Sequence, residues 1–181
     1  QATSKQSEAK TNLKIVFIGQ KKRFADKDTY STNAADVMYA LERGNRYTYY
    51  LDSTCAAFEI RTGAGAPAGA NFCGVGRDAY RFGGAAVEPI PGGAVVPGWA
   101  LNPGVTVAPG THAGVWPNPI VSPGDQTWNA FAVGNVDNDT TMDAWEIGSL
   151  NAGMPVTPAA CIEDDTYAAG APMLVLNDVG C

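Results

Sequence analysis

The sequence predicts an α+β fold in which one long N-terminal helix packs on a small antiparallel β-sheet. Two observations support this prediction: apolar residues near the N-terminus follow helical spacing, and later segments alternate as half-buried strands do. With 181 residues, of which 45% are hydrophobic, the chain is long enough for one domain with a core, which we place at 1–181. A sheet this small buries one face best by packing on the helix.

The predicted helix covers residues 1–28. Its apolar residues recur at helical spacing, which places them on one stripe. They are Ala9, Leu13, Val16, Phe17 and Phe24. No Ser, Thr or Asp cap precedes the pattern, which is already running at the first residues. We therefore expect residues 1–28 to be the C-terminal half of a longer helix.

Residues 29–82 contain a polar loop followed by short predicted strands. The first candidate, 46–52, is rich in tyrosine, and its residues alternate in a β-prone pattern. Residues 55–62 and 79–82 are two further strand candidates.

Residues 83–124 are rich in Gly and Pro and carry one formal charge, Glu88. Such a composition is typical of a flexible linker. However, Trp99, Trp116 and many valines make a solvated linker a poor explanation. We expect a long irregular loop that packs on the sheet or on a neighbouring copy of the chain.

The clearest strand pattern lies within residues 125–150. Residues 127–136 and 142–147 both alternate, and the polar residues between them suit a turn. We predict a hairpin with one face packed. The remaining residues, 151–181, are predicted to be irregular and bracketed by Cys161 and Cys181.

The four cysteines are Cys55, Cys73, Cys161 and Cys181. None lies in a CxxC motif and the chain has one histidine, His112, so a structural zinc site is not expected. An even number of cysteines in a loop-rich chain predicts two disulfides and an oxidising compartment. Three pairings are possible. The sequential pairing closes two short loops, each worth about 3 kcal/mol, and free buried thiols are the alternative.

Charge is distributed unevenly along the chain. The net charge of −6 argues against nucleic acid as a partner. Residues 1–27 nevertheless hold seven of the 12 basic residues and two acidic ones, whereas residues 125–181 hold nine acidic residues and no Lys or Arg. Basic and acidic ends could attract each other between copies. Alternatively, the lysines are the solvated face of the helix.

Catalytic groups are scarce. The chain has one histidine, no Gly-x-Ser-x-Gly motif and no cysteine beside a base, so we expect no enzymatic activity. The Gly-rich run at 63–69 lacks a lysine and a following helix, which argues against a phosphate loop. We expect no cofactor.

One turn carries a weaker calcium hypothesis. Oxygen-bearing side chains between residues 135 and 146 overlap the ligand spacing of a calcium loop, but Thr140 replaces the usual Gly and strands flank the turn. A simpler site would use Asp137, Asp139 and Asp143. The alternative is an acidic, solvated turn.

Several segments together resemble one family. Residues 4–14, Gln20, Phe24 and 27–31 strongly resemble the helix of type IVa major pilins, especially those of gliding, pilus-retracting bacteria. Residues 42–50 resemble the first strand of those proteins, and residues 132–147 their later hairpin. The spacing from Cys161 to Cys181 resembles the bridge that closes their C-terminal region. Residues 83–124 show no clear match.

The resemblance implies a type IV pilin fold and a structural role. Such pilins carry an apolar N-terminal helix half that anchors the subunit in the inner membrane and later forms the filament core. A leader peptidase trims and methylates the precursor. This chain looks like the head of such a protein without that apolar half. The implied partners are identical subunits in a helical filament, minor pilins, and the assembly and retraction machinery.

The implied function is a retractable filament at the cell surface, used for adhesion and twitching or gliding motility. Within that function we expect Lys21, Lys22 and Arg23 to contribute to assembly. Two alternatives remain: a type II secretion pseudopilin, and a secreted carbohydrate-binding module that presents Trp99, Trp116 and tyrosines. Pseudopilins usually lack the C-terminal disulfide.

Overall fold

A computed structural model describes residues 2–37, 41–52, 55–64, 71–89, 128–136, 142–149, 152–153 and 166–176. The helices are α1 (Ala2–Lys27), α2 (Ala34–Val37) and α3 (Ala79–Phe82). The strands are β1 (Thr48–Tyr50), β2 (Phe58–Glu59), β3 (Gly74–Val75), β4 (Asn129–Gly134), β5 (Asp143–Gly148), β6 (Ala152–Gly153), β7 (Thr166–Tyr167) and β8 (Met173–Leu176). Within these ranges, no helix has both the length and the apolarity needed to cross a membrane.

Helix α1 packs on a six-stranded sheet, which confirms the predicted α+β fold. The strand order is β2-β3-β1-β4-β5-β8, and all neighbours are antiparallel except β2 and β3. Tyr49 pairs with Ala132, which pairs in turn with Trp145, so these residues form one row across the sheet. Ala9 and Leu13 of α1 are fully buried in the same core cluster as that row. A separate two-stranded sheet joins β6 and β7.

The second face of the sheet is buried as well, so the prediction of a hairpin with one packed face was wrong. Phe131 and Val133 lie on that face and are fully buried. Asn129 and Glu146 are also buried, and the Asn129 amide donates to the Glu146 carboxyl at 2.7 Å. Burial on both faces explains why polar positions of the alternating pattern are inside the protein.

Two predictions for local structure are corrected. Residues 79–82 form the short helix α3 and not a strand, because Asp78 caps it: its carboxylate accepts a hydrogen bond from the Arg81 amide at 3.3 Å. Residues 151–181 are not wholly irregular, since Met173–Leu176 pairs with β5. That pairing joins residues about 30 positions apart, and local pattern does not report it.

The C-terminal end of α1 is tied to the loop that follows it. The Gln20 side chain donates to the Ser31 carbonyl at 2.7 Å and accepts from the Ser31 amide at 3.0 Å. Gly19 lies against Val37 of α2, where an added Cβ would lie 2.3 Å from the Val37 carbonyl oxygen. The helix end therefore fixes the path of residues 28–37.

Aromatic rings continue this attachment to the sheet. Phe24 stacks on Tyr30 with ring centroids 4.8 Å apart, and Tyr30 lies 6.2 Å from Trp128 at the start of β4. Phe17 contacts the same indole at 5.8 Å. Rings from the helix, the loop and the sheet thus form one contact chain.

Glu88 anchors the beginning of the Gly/Pro-rich segment to the sheet. Its carboxylate pairs with Arg77 at 2.6 Å, and its backbone amide and carbonyl bond to Thr48 and Tyr50 at 2.8 and 2.6 Å. The single charge of this segment therefore has a structural partner. Residues 90–127, with Trp99 and Trp116, lie outside the described residues. The five-part division of the chain remains a prediction.

Candidate interaction face on the N-terminal helix

Helix α1 presents a basic face away from the sheet. Lys14, Ile18 and Lys22 follow one another at intervals of four residues, and Lys21 lies beside them. All four side chains are exposed, and Ile18 is 66% accessible. We call these four residues the basic face. An apolar side chain surrounded by three ammonium groups suits contact with a surface that is acidic and partly apolar.

The lysines of the basic face are not neutralised by ion pairs with described residues. Lys14 and Lys22 form no ion pair with any described residue. The Lys21 ammonium lies 5.0 Å from the centre of the Phe17 ring, a contact that orients it without neutralising it. Positive charge is therefore available to a partner.

Arg23 has a different environment from Lys21 and Lys22. Its guanidinium pairs with Asp36 of α2 at 3.2 Å, and its Nε is buried without a hydrogen-bond partner among the described residues. The structure thus divides the predicted assembly residues: two lysines face outward, and the arginine joins α1 to α2.

Polar side chains attach the first turns of α1 to the sheet and the loop before it. We call this set the polar seam; its α1 members are Lys5, Gln6, Glu8 and Asn12. The Gln6 amide donates to both oxygens of Asp143 at 3.1 Å, and the Tyr47 hydroxyl donates to the same carboxylate at 2.9 Å. Lys5 donates to the Val136 carbonyl. Burial, followed by the nearby Asp143 charge, raises the pKa of Tyr47, so its hydroxyl stays protonated and remains a donor.

Glu8 continues the seam one turn further along. Its carboxylate accepts from the Arg46 backbone amide at 2.7 Å and lies 3.5 Å from the Arg46 guanidinium. Burial raises the pKa of Glu8, and the bonds from Arg46 oppose that shift. Asn12 donates to the Tyr49 hydroxyl at 2.8 Å. The helix is thus positioned by hydrogen bonds as well as by apolar packing.

The seam bears on the calcium hypothesis. Asp143 is fully buried at the start of β5, where its carboxylate accepts bonds from Gln6 and Tyr47. Asp137 and Asp139 lie outside the described residues, so the turn site stays a prediction. Among the residues that are described, no three His, Cys, Asp or Glu side chains cluster as metal ligands do.

One of the two predicted disulfides is present. Cys55 and Cys73 are bonded, with Cα atoms 5.4 Å apart, and they link the segment before β2 to the start of β3. Cys161 and Cys181 lie outside the described residues, so their pairing remains a prediction.

Comparison with known proteins decides the family. Residues 1–143 match the family model described as "Type IV pilin PilA". The chain belongs to the PilA family of type IV pilins. It is also similar to the "Type IV major pilin protein PilA" of Myxococcus xanthus (strain DK1622), with 38% identity over 182 residues. That match covers all of this chain and 80% of the relative. The family assigned from the helix motif is confirmed.

The buried, hydrogen-bonding role of several residues of this type IV pilin was not predicted from the sequence. Gln6 and Gln20 lie on the buried stripe, seven residues before and after Leu13. That spacing was a usable signal, since seven residues return to the same side of a helix. Asn12 and Tyr47 carried no comparable signal because their partners are distant in sequence.

Proposed function

We propose that this type IV pilin is the major structural subunit of a retractable pilus, built as a helical filament of identical copies. Its similarity to a major pilin over the full chain is the main support. The head fold supports it as well, because α1 is attached firmly along one side and leaves the basic face open. Adhesion and twitching or gliding motility are the functions we assign to the filament.

The same proposal includes the cellular path of the subunit. Before assembly, an apolar helix half anchors the parent protein in the inner membrane with this head in the periplasm, and the assembled filament lies at the cell surface. Minor pilins and the assembly and retraction machinery are the further partners. This structural role requires no catalysis.

Within the filament, we assign the basic face to contact with an acidic surface of a neighbouring copy. Two of the nine acidic residues predicted to attract it, Asp143 and Glu146, are buried and cannot serve as that surface. Electrostatic attraction of this kind guides association and register more than it supplies affinity. The attraction should weaken as salt increases.

Charge reversal in the full-length gene tests this role. Lys21→Glu with Lys22→Glu should reduce the number of surface pili, whereas Lys27→Glu, an exposed change at the end of α1, should not. Arg23→Glu is measured separately because it also removes the Asp36 pair. Thermal unfolding of each purified head verifies folding. Normal piliation by the double variant would contradict the assigned contact.

The alternatives receive no specific support. The PilA family match favours a pilin over a type II secretion pseudopilin and over a carbohydrate-binding module. We retain the Cys161–Cys181 bridge and the calcium turn as proposals. Mass spectrometry of the unreduced protein and calorimetry with calcium would test them.

A further inference from the structure

A polar groove lies between the middle of α1 and the loop before β1. Its cavity measures about 340 Å³, at the lower end of the range for ligand pockets. One wall is a single helical stripe of Glu8, Thr11, Asn12 and Ile15, and the other is the loop 42–45. The groove opens on the flank of α1 beside the basic face.

The donors that line this groove are already used by the protein. The Asn12 amide donates to Tyr49 at 2.8 Å, and the Arg43 guanidinium pairs with Asp78 at 3.1 Å. The Asn45 amide donates to two backbone carbonyls at 2.8 Å each. An anionic ligand would therefore find few free donors here.

The hydrogen-bond acceptors of the groove, in contrast, are mostly without partners among the described residues. The exposed Glu42 carboxylate has no hydrogen-bond or ionic partner among the described residues, and the Thr11 hydroxyl has none there either. Glu8 is largely removed from solvent, and its Oε2 has only a 3.5 Å contact with Arg46. Free acceptors beside occupied donors select a cationic hydrogen-bond donor, such as an ammonium group.

The chain itself carries such donors. Lys14 and Lys22 of the basic face are exposed and have no ionic partner in the described part of the molecule. In a filament of identical subunits, every copy presents both lysines and groove, and a repeated heterologous contact propagates a helical filament. A second copy is therefore the occupant best matched in charge and supply.

We propose that the groove lined by Glu8 and Glu42 receives a lysine ammonium from the basic face of a neighbouring subunit. This inference rests on the proposed filament function and names the acidic partner of that face. Glu42 supplies the free carboxylate, Thr11 an additional acceptor, and Ile15 an apolar wall for the lysine methylenes.

The test uses the full-length gene in cells that lack their own copy, with sheared filaments measured by quantitative blotting. Glu42→Lys should lower the yield about tenfold, because it places a like charge where an ammonium binds. Asp26→Lys, the same charge change at an exposed site on α1, should leave the yield within about twofold. Equal yields for both variants would overturn the inference.

A charge swap identifies the donor. Glu42→Lys is combined in turn with Lys14→Glu, Lys21→Glu and Lys22→Glu. Restoration by one combination supports the contact, since each copy then carries the reversed pair. Restoration by none overturns it. Putrescine, a free diamine, is also titrated against the purified head as a probe of the groove. If Glu42→Lys abolishes putrescine binding but leaves the filaments intact, the groove binds a small diamine and not a neighbouring lysine, and the inference is overturned. If wild-type filaments do not contain this chain, the proposed function fails before the groove is tested.

Discussion

Gly19 of α1 lies against the backbone of Val37: a Cβ at Gly19 would be 2.3 Å from the Val37 carbonyl oxygen and 2.8 Å from its Cα. Because the neighbouring atoms are backbone, α2 cannot make room by rotating a side chain. The glycine lets α2 sit directly on α1 and positions Asp36 beside Arg23.

Gly19→Ala should therefore destabilise the head. Overpacking costs about 1–3 kcal/mol, whereas the better helix propensity of alanine returns about 1 kcal/mol. We expect a lower midpoint in urea unfolding. Gly63→Ala is the control, because a Cβ at Gly63 meets no atom within 4 Å. An unchanged midpoint for Gly19→Ala would show that α2 moves away freely.

Tyr47→Phe tests the polar seam. The change removes the hydroxyl that donates to the buried Asp143 carboxylate at 2.9 Å while keeping the ring. A hydrogen bond to a charged group contributes about 1.5–3 kcal/mol, so the free energy of unfolding, measured by thermal denaturation, should fall by that amount. Tyr80→Phe, at a residue that is 62% exposed, should have little effect. Similar losses for both tyrosines would argue against a specific role of the seam.

Glu146 should make stability depend on pH. Burial raises its pKa to about 8 from an ordinary value of 4.5, and the Asn129 amide opposes that shift only in part. Between these values the folded state holds a proton that the unfolded state has released. Its contribution to stability is therefore complete below pH 4.5 and is lost as the pH rises through about 8.

Glu146→Gln isolates this contribution, because the Asn129 amide can still donate to the glutamine oxygen. We compare the free energy of unfolding of both proteins from pH 5 to pH 9. The wild type should lose stability relative to Glu146→Gln as the pH rises to about 8, and above that pH the difference between the two proteins should level off. Shifts at other groups, such as the raised pKa of Glu8 and the lowered pKa of Asp78, cancel in that difference. A pH-independent difference would refute the assignment.

Glu88→Gln should loosen the beginning of the Gly/Pro-rich segment. The substitution leaves the mostly buried Arg77 without its carboxylate, and its Nε already has no described hydrogen-bond partner. Removing one partner of a buried pair costs about 3–5 kcal/mol. Urea unfolding measures the loss in the free energy of unfolding. Hydrogen exchange of the backbone amide of residue 88 reports local opening in both proteins. Glu42→Gln, at an exposed carboxylate without a partner among the described residues, is the control; equal stability of the two variants would exclude a structural role for the pair.

The sequence predicted the parts of the fold that depend on local periodicity. The stripe of Ala9, Leu13 and Val16 is buried as expected, and the hairpin strands lie within two residues of their predicted ends. These predictions are correct because helix and strand spacing directly reflect which side chains are buried. The basic face was accessible to the same reasoning.

The remaining features depend on specific side-chain contacts, which the spacing of apolar residues does not report. Asp78 turns a β-prone segment into a helix through one cap, and neither propensity nor alternation indicates it. Asn129 and Glu146 look like solvent-facing positions until their mutual bond at 2.7 Å is seen. The groove beside Glu42 could not be predicted, because its two walls are separated by about 30 residues.

The anchoring of Glu88 has one more consequence. Its backbone bonds to the side chains of Thr48 and Tyr50 in β1, and β4 pairs with that same strand. Glu88 and β4, which are far apart in the chain, are thus both attached to one strand. Breaking the Arg77–Glu88 pair should therefore release only the first of these two attachments, because β1 and β4 are paired through their own backbones.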